Sequence, residues 1–90
     1  MITEFINKFV EFMPDSVDME EGVLYISEEH KASSHKCFCG CGNEVYLPFG
    51  FKGWKYTREG DTVSLSPSVG SWNLDCQSHY FIRENKVQWC

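Results

Sequence analysis

Apolar residues near the start of the chain fall at Phe5, Ile6, Phe9, Val10 and Met13. That spacing lays them along one face of a helix. Thr3 is a suitable cap, Glu4 sits in the first turn where the helix dipole favours an anion, and Pro14 ends the run. The pattern predicts an N-terminal helix from Thr3 to Met13. Residues 14–21 read as an acidic, solvated turn carrying Asp15, Asp18, Glu20 and Glu21.

The period then changes to two. Gly22 opens a strand over Val23–Ser27, with Val23 and Tyr25 on one face and Leu24 and Ile26 on the other. The polar stretch 28–34 predicts a loop or a short helical turn. His35–Phe38 and Val45–Phe49 read as the arms of a hairpin whose turn spans residues 37–44. Trp54–Arg58 and Thr62–Ser66 alternate around Glu59-Gly60-Asp61, a second hairpin. Pro67–Gly70 breaks the strand pattern. His79–Arg83 and Lys86–Trp89 flank Glu84-Asn85 and form a third hairpin. The expected fold is α+β: one N-terminal helix packed on a small antiparallel, barrel-like β-sheet with a zinc knuckle.

With 90 residues, the chain is expected to form a single domain over residues 1–90. A domain this small buries a limited core and often needs a staple such as a structural metal. Aromatic residues make up 16% of the chain, so rings are expected to build that core, Trp54, Trp72 and Trp89 among them. Net charge is −5 and the few Lys and Arg are scattered, which argues against a nucleic-acid partner. Glu4, Lys8 and Glu11 interrupt the N-terminal apolar pattern, so it does not read as a signal peptide. No run approaches the ~20 apolar residues of a membrane span. The expected location is cytoplasmic, where cysteines are reduced.

Five cysteines then become the strongest chemical signal. Cys37, Cys39 and Cys41 alternate with Phe38 and Gly40, and Cys76 follows later. Zinc holds thiolates at ~2.3 Å in a tetrahedron, which puts the sulfurs roughly 3.8 Å apart. Alternate residues of a flat strand are about 6.5 Å apart. The chain must curl to bring three such thiols to one ion, and Gly40 and Gly42 allow it. A closed structural zinc site of Cys37, Cys39, Cys41 and Cys76 is the leading reading. A site with His35 or His79 replacing one cysteine, and a set of buried free thiols, stay open. Cys90 is read as a bystander.

A second constellation follows. Ser68 lies between Pro67 and Val69-Gly70, on an expected turn that would present its hydroxyl beside backbone N–H groups. His79 lies eleven residues on, across an expected hairpin, and is a candidate base for it, although spacing alone does not bring the two together. A turn serine and a structurally satisfied histidine fit the same pattern.

The chain resembles domain-of-unknown-function family 6527 over nearly its whole length. The resemblance rests on Gly22-Val23-Leu24-Tyr25-Ile26-Ser27, His35, Cys37-Phe38-Cys39-Gly40-Cys41-Gly42, Leu47-Pro48, Trp54, Pro67-Ser68-Val69-Gly70, Trp72, Cys76, Ser78-His79-Tyr80 and Trp89. Phe38 departs from the proline common there, and Ser71 stands where asparagine is frequent. Such genes often neighbour bacterial genes for ubiquitin-like conjugation, in loci resembling antiphage defence systems. The resemblance implies a peptidase or deconjugase that cleaves after the C-terminus of a bacterial ubiquitin-like protein. Its polar candidates are Ser68, Ser78, His35 and His79, with Ser68 as nucleophile and His79 as general base. Backbone N–H groups near Ser68 to Gly70 would form the oxyanion hole. Asn73 and Asn85 are candidates for an orienting third residue. Two alternatives accompany this reading: a zinc-dependent metallopeptidase of the same pathway, and a non-enzymatic zinc module that binds the ubiquitin-like protein or its conjugation enzymes.

Overall fold

The computed structural model describes residues 2–70 and 76–90. Eight strands occur there: β1 Ile6–Phe9, β2 Val23–Ser27, β3 Ala32–Lys36, β4 Glu44–Pro48, β5 Lys55–Glu59, β6 Thr62–Gly70, β7 His79–Arg83 and β8 Lys86–Trp89. They form two four-stranded sheets, in the orders β1-β2-β3-β4 and β5-β6-β7-β8. Both sheets feed one core. Leu24, Ile26 and Leu47 come from the first sheet, and Val63, Leu65, Val69, Tyr80 and Ile82 from the second.

The expected N-terminal helix is not formed, and the α+β class is wrong. The only helical element among the described residues is a 3-10 turn at Ser16–Asp18. The N-terminal segment instead adds β1 in parallel to β2, with Ile6 opposite Val23 and Phe9 opposite Ile26. Hydrogen bonds from Ile6 N–H to the Gly22 carbonyl (3.0 Å) and from Val10 N–H to the Ile26 carbonyl (2.8 Å) bracket the pairing. A helix this short is marginal by itself. Strand β2 is buried along its whole length, and pairing with β1 satisfies backbone groups it would otherwise bury unpaired. The apolar stripe is therefore split. Phe5 enters the main core, Val10 and Met13 pack on a satellite cluster of Met19, Val23 and Tyr25, and Ile6 is left 64% exposed.

Two further boundaries moved. Residues 32–34, expected in a loop, begin β3, and Ala32, Ser33, Ser34 and His35 are all buried there. Small side chains suit a strand hemmed in by β2 and β4, and Ser34 Oγ is held by Glu44 Oε2 at 2.8 Å. Strand β6 does not stop at Pro67 but runs on to Gly70. Its partner β5 ends opposite Ser66, so the missing Pro67 N–H interrupts no β5–β6 ladder. The β6–β7 register shifts between Leu65 and Val69, from Leu65 opposite Ile82 to Val69 opposite Tyr80. A shift of two keeps Val69 facing the core and Ser68 facing outward.

The three hairpins form as expected. The last turn carries both Glu84 and Asn85 at positive φ (48° and 61°), the backbone that closes a two-residue hairpin. Trp54 and Trp89 pack against the core, and Trp89 Nε1 donates to the Ile2 carbonyl at 2.8 Å. Trp72 lies outside the described residues. Asp15, Asp18, Glu20 and Glu21 are exposed, as expected of a solvated segment. Among the described residues no helix is long and apolar enough to cross a membrane.

Candidate active site and metal centre

The β3–β4 turn curls as the cysteine spacing demands. Cys37 N–H donates to the Asn43 carbonyl at 2.8 Å, and Gly40 N–H to the Cys37 carbonyl at 3.1 Å. Gly40 and Gly42 take φ of 92° and 85°, where a side chain would be strained. The curl brings Cys37 Sγ within 3.5 Å of Cys39 Sγ, and Cys76, from the segment leading into β7, within 3.7 Å of Cys37. The sulfurs of Cys37, Cys39, Cys41 and Cys76 all lie within 4.8 Å of one another. Cys90 is exposed and outside this group.

The four sulfurs are compatible with a metal such as zinc: the 3.5 and 3.7 Å separations are close to those of a thiolate tetrahedron, and all four lie within 4.8 Å. Burial pushes the Cys37 thiol up to about 12, so a bare thiolate there is disfavoured and a cation would compensate it. A hydrogen bond from the Ser78 side chain draws the Cys76 thiol down to about 6. Cys41 is exposed, and its Sγ accepts from Asn43 Nδ2 at 3.3 Å.

Neither candidate histidine joins this cluster. His35 is buried in the core, stacked on Phe38 with centroids 4.4 Å apart, and its Nε2 meets the Tyr80 hydroxyl at 2.7 Å. Burial lowers its imidazole to about 3, so it is neutral in the fold. Phe38, where the resembled family has proline, is itself fully buried between His35 and Phe5.

His79 is elsewhere, and so is the second constellation. Ser68 Oγ lies 2.8 Å from His79 Nε2. The pairing follows from the ladder. Val69 opposes Tyr80 and Gly70 opposes His79, so Ser68 and His79 are diagonal neighbours on the outward face. Tyr80, next in the chain, points the other way into the core. Both Ser68 and His79 are partly exposed.

Of the remaining candidates, Ser78 is buried and serves the Cys76 thiol. Asn85 sits in the β7–β8 turn, where its Oδ1 accepts from Val63 N–H at 2.9 Å and its Nδ2 faces Asn7 Oδ1 at 3.5 Å. It braces that turn and is not an orienting residue for His79. Asn73 lies outside the described residues. Sequence reasoning missed Tyr80, whose hydroxyl is the partner of His35. The available signal was alternation along β7, which sends Tyr80 inward once His79 faces out.

Comparison with curated proteins and with solved structures gave no match. Residues 9–90 match the family described as the bacterial ubiquitination-like system serine protease, BubE. The match spans both the four cysteines and the Ser68–His79 pair. The chain belongs to the BubE family of bacterial ubiquitination-like system serine proteases.

Proposed function

We propose that the protein is a zinc-stabilised serine peptidase that cleaves after the C-terminus of a bacterial ubiquitin-like protein, during maturation or in removal from conjugates. The observation that carries this reading is the 2.8 Å separation of Ser68 Oγ and His79 Nε2 on an accessible face. For His79 Nε2 to accept, the neutral ring must carry its proton on Nδ1. Ser68 Oγ then attacks the carbonyl carbon of the modifier's last residue as its proton passes to Nε2. Collapse of the tetrahedral intermediate breaks the bond to the leaving amine or alkoxide, which takes the proton from His79. Water, deprotonated by the same imidazole, attacks the acyl-serine and releases the modifier's carboxylate and Ser68. Backbone N–H groups of the Ser68–Gly70 segment supply the oxyanion contacts.

Cys37, Cys39, Cys41 and Cys76 would hold the zinc, which would supply folding free energy to one domain over residues 1–90. Because Cys76 lies three residues before His79, the site would tie the base-bearing strand to the β3–β4 turn. Four thiolates would close the coordination shell of such an ion and leave the reaction to Ser68 and His79.

The test is cleavage of a fusion of the cognate modifier to a reporter. Wild-type protein should release the reporter, and Ser68→Ala protein with its zinc content intact should not. Undiminished cleavage by that variant would refute the nucleophile assignment.

A further inference from the structure

Strand β6 outruns its neighbour. Its ladder with β5 ends at Ser66 opposite Lys55, whereas β6 continues to Gly70. Of residues 67–70, Val69 and Gly70 pair with β7 on one side, and none pairs with a described strand on the other.

The direction of the backbone groups follows from β7. The His79 carbonyl accepts from Cys90 N–H at 3.1 Å, so His79 turns its main-chain groups toward β8. Main-chain groups alternate sides along a strand, so Tyr80 faces β6, and Val69, its partner, faces β7. Ser68 and Gly70 flank Val69. Their N–H and C=O groups therefore face the side that β5 has vacated. Among the described residues the unpaired edge coincides with the nucleophile, and Gly70 adds no side chain to crowd it.

We infer that this edge of β6 is the substrate-recognition subsite, where an extended peptide segment adds as a short strand through main-chain hydrogen bonds to Ser68 and Gly70. The inference rests on the peptidase reading above and deepens it. The occupant is the extended C-terminal tail of the ubiquitin-like modifier. The scissile carbonyl must come to Ser68 Oγ, and a strand laid on the adjoining edge delivers a carbonyl there in fixed register. Recognition is then of backbone more than of side chains. Of the N–H groups in this segment, that of Val69 is turned to β7, so Ser68 N–H meets the scissile carbonyl as its oxyanion contact and Gly70 N–H meets a second carbonyl of the bound chain.

A backbone scan tests this. The probe is a peptide of the modifier's last eight residues carrying a fluorogenic amide, with single N-methyl groups placed in turn at each position. Cleavage is measured with wild-type zinc-loaded protein, and binding with Ser68→Ala protein. Because only every second residue of an added strand faces its neighbour, N-methylation should weaken both readouts by about tenfold or more at alternate positions and little between them. If cleavage of the unmodified peptide requires Ser68 but tolerates every N-methyl group, or responds without alternation, the edge subsite is refuted while the peptidase reading stands. If the unmodified peptide is cleaved equally by the Ser68→Ala protein, or by neither, both fail.

Discussion

Gly70 stands directly opposite His79 across the β6–β7 ladder, and its lack of a side chain leaves the imidazole room to lean diagonally onto Ser68. A β-branched residue at Gly70 would occupy that space. A strand backbone accepts valine readily. Gly70→Val should therefore keep the fold but lower kcat/KM on a modifier fusion by about 10- to 100-fold, the scale on which misplacing a catalytic group by an ångström acts. Unchanged kcat/KM in a folded variant would show that the imidazole does not need the gap.

Ser68 and His79 should behave as one unit. Ser68→Ala and His79→Ala should each lower kcat by roughly 1,000-fold or more, and the double variant should be no worse than either single one. Steady-state cleavage of the fusion measures this. Additive losses would mean that the two side chains act in separate steps.

Zinc removal should unfold the protein before it alters any catalytic atom. Elemental analysis should find one zinc per chain. A chelator should lower Tm by more than ~10 °C, given that 1 kcal/mol shifts the Tm of a domain this size by about 4–8 °C. Cys37→Ser should be the most damaging of the four ligand changes, because Cys37 is fully buried, and Cys41→Ser the mildest, because Cys41 is exposed. Equal Tm values for the two variants would contradict that ranking.

Tyr80→Phe should destabilise the core despite its small change in shape. The substitution removes the partner of His35 Nε2 at a site where Nδ1 has no hydrogen-bond partner among the described residues. A buried polar atom left without a partner costs about 1–3 kcal/mol. Urea denaturation should show a loss in that range. No loss would mean that the His35–Tyr80 contact contributes nothing net.

Local chemistry was legible wherever the chain itself dictated geometry. The Cys/Gly alternation requires a curl at Gly40 and Gly42, and both take positive φ. The Glu84-Asn85 turn and the strands around it follow from short-range pattern. Residues whose state depends on a distant neighbour were misread. Ser33 and Ser34 look like loop residues until β2 and β4 enclose them. Pro67 looks like a terminator until β5 is seen to end opposite Ser66.

The sequence by itself determined the thiol set and the β-rich second half, because residue type and spacing of two carry that information without reference to other segments; it offered Ser68 and His79 only as candidates, through the family resemblance. Tertiary structure alone decided that Phe5 to Phe9 is extended, since helical spacing is a weak preference and pairing with the buried strand β2 outweighs it. It also decided that Ser68 meets His79. That contact depends on a two-residue register shift between β6 and β7, and register is set by which side chains reach the shared core, not by the residues that form the pair.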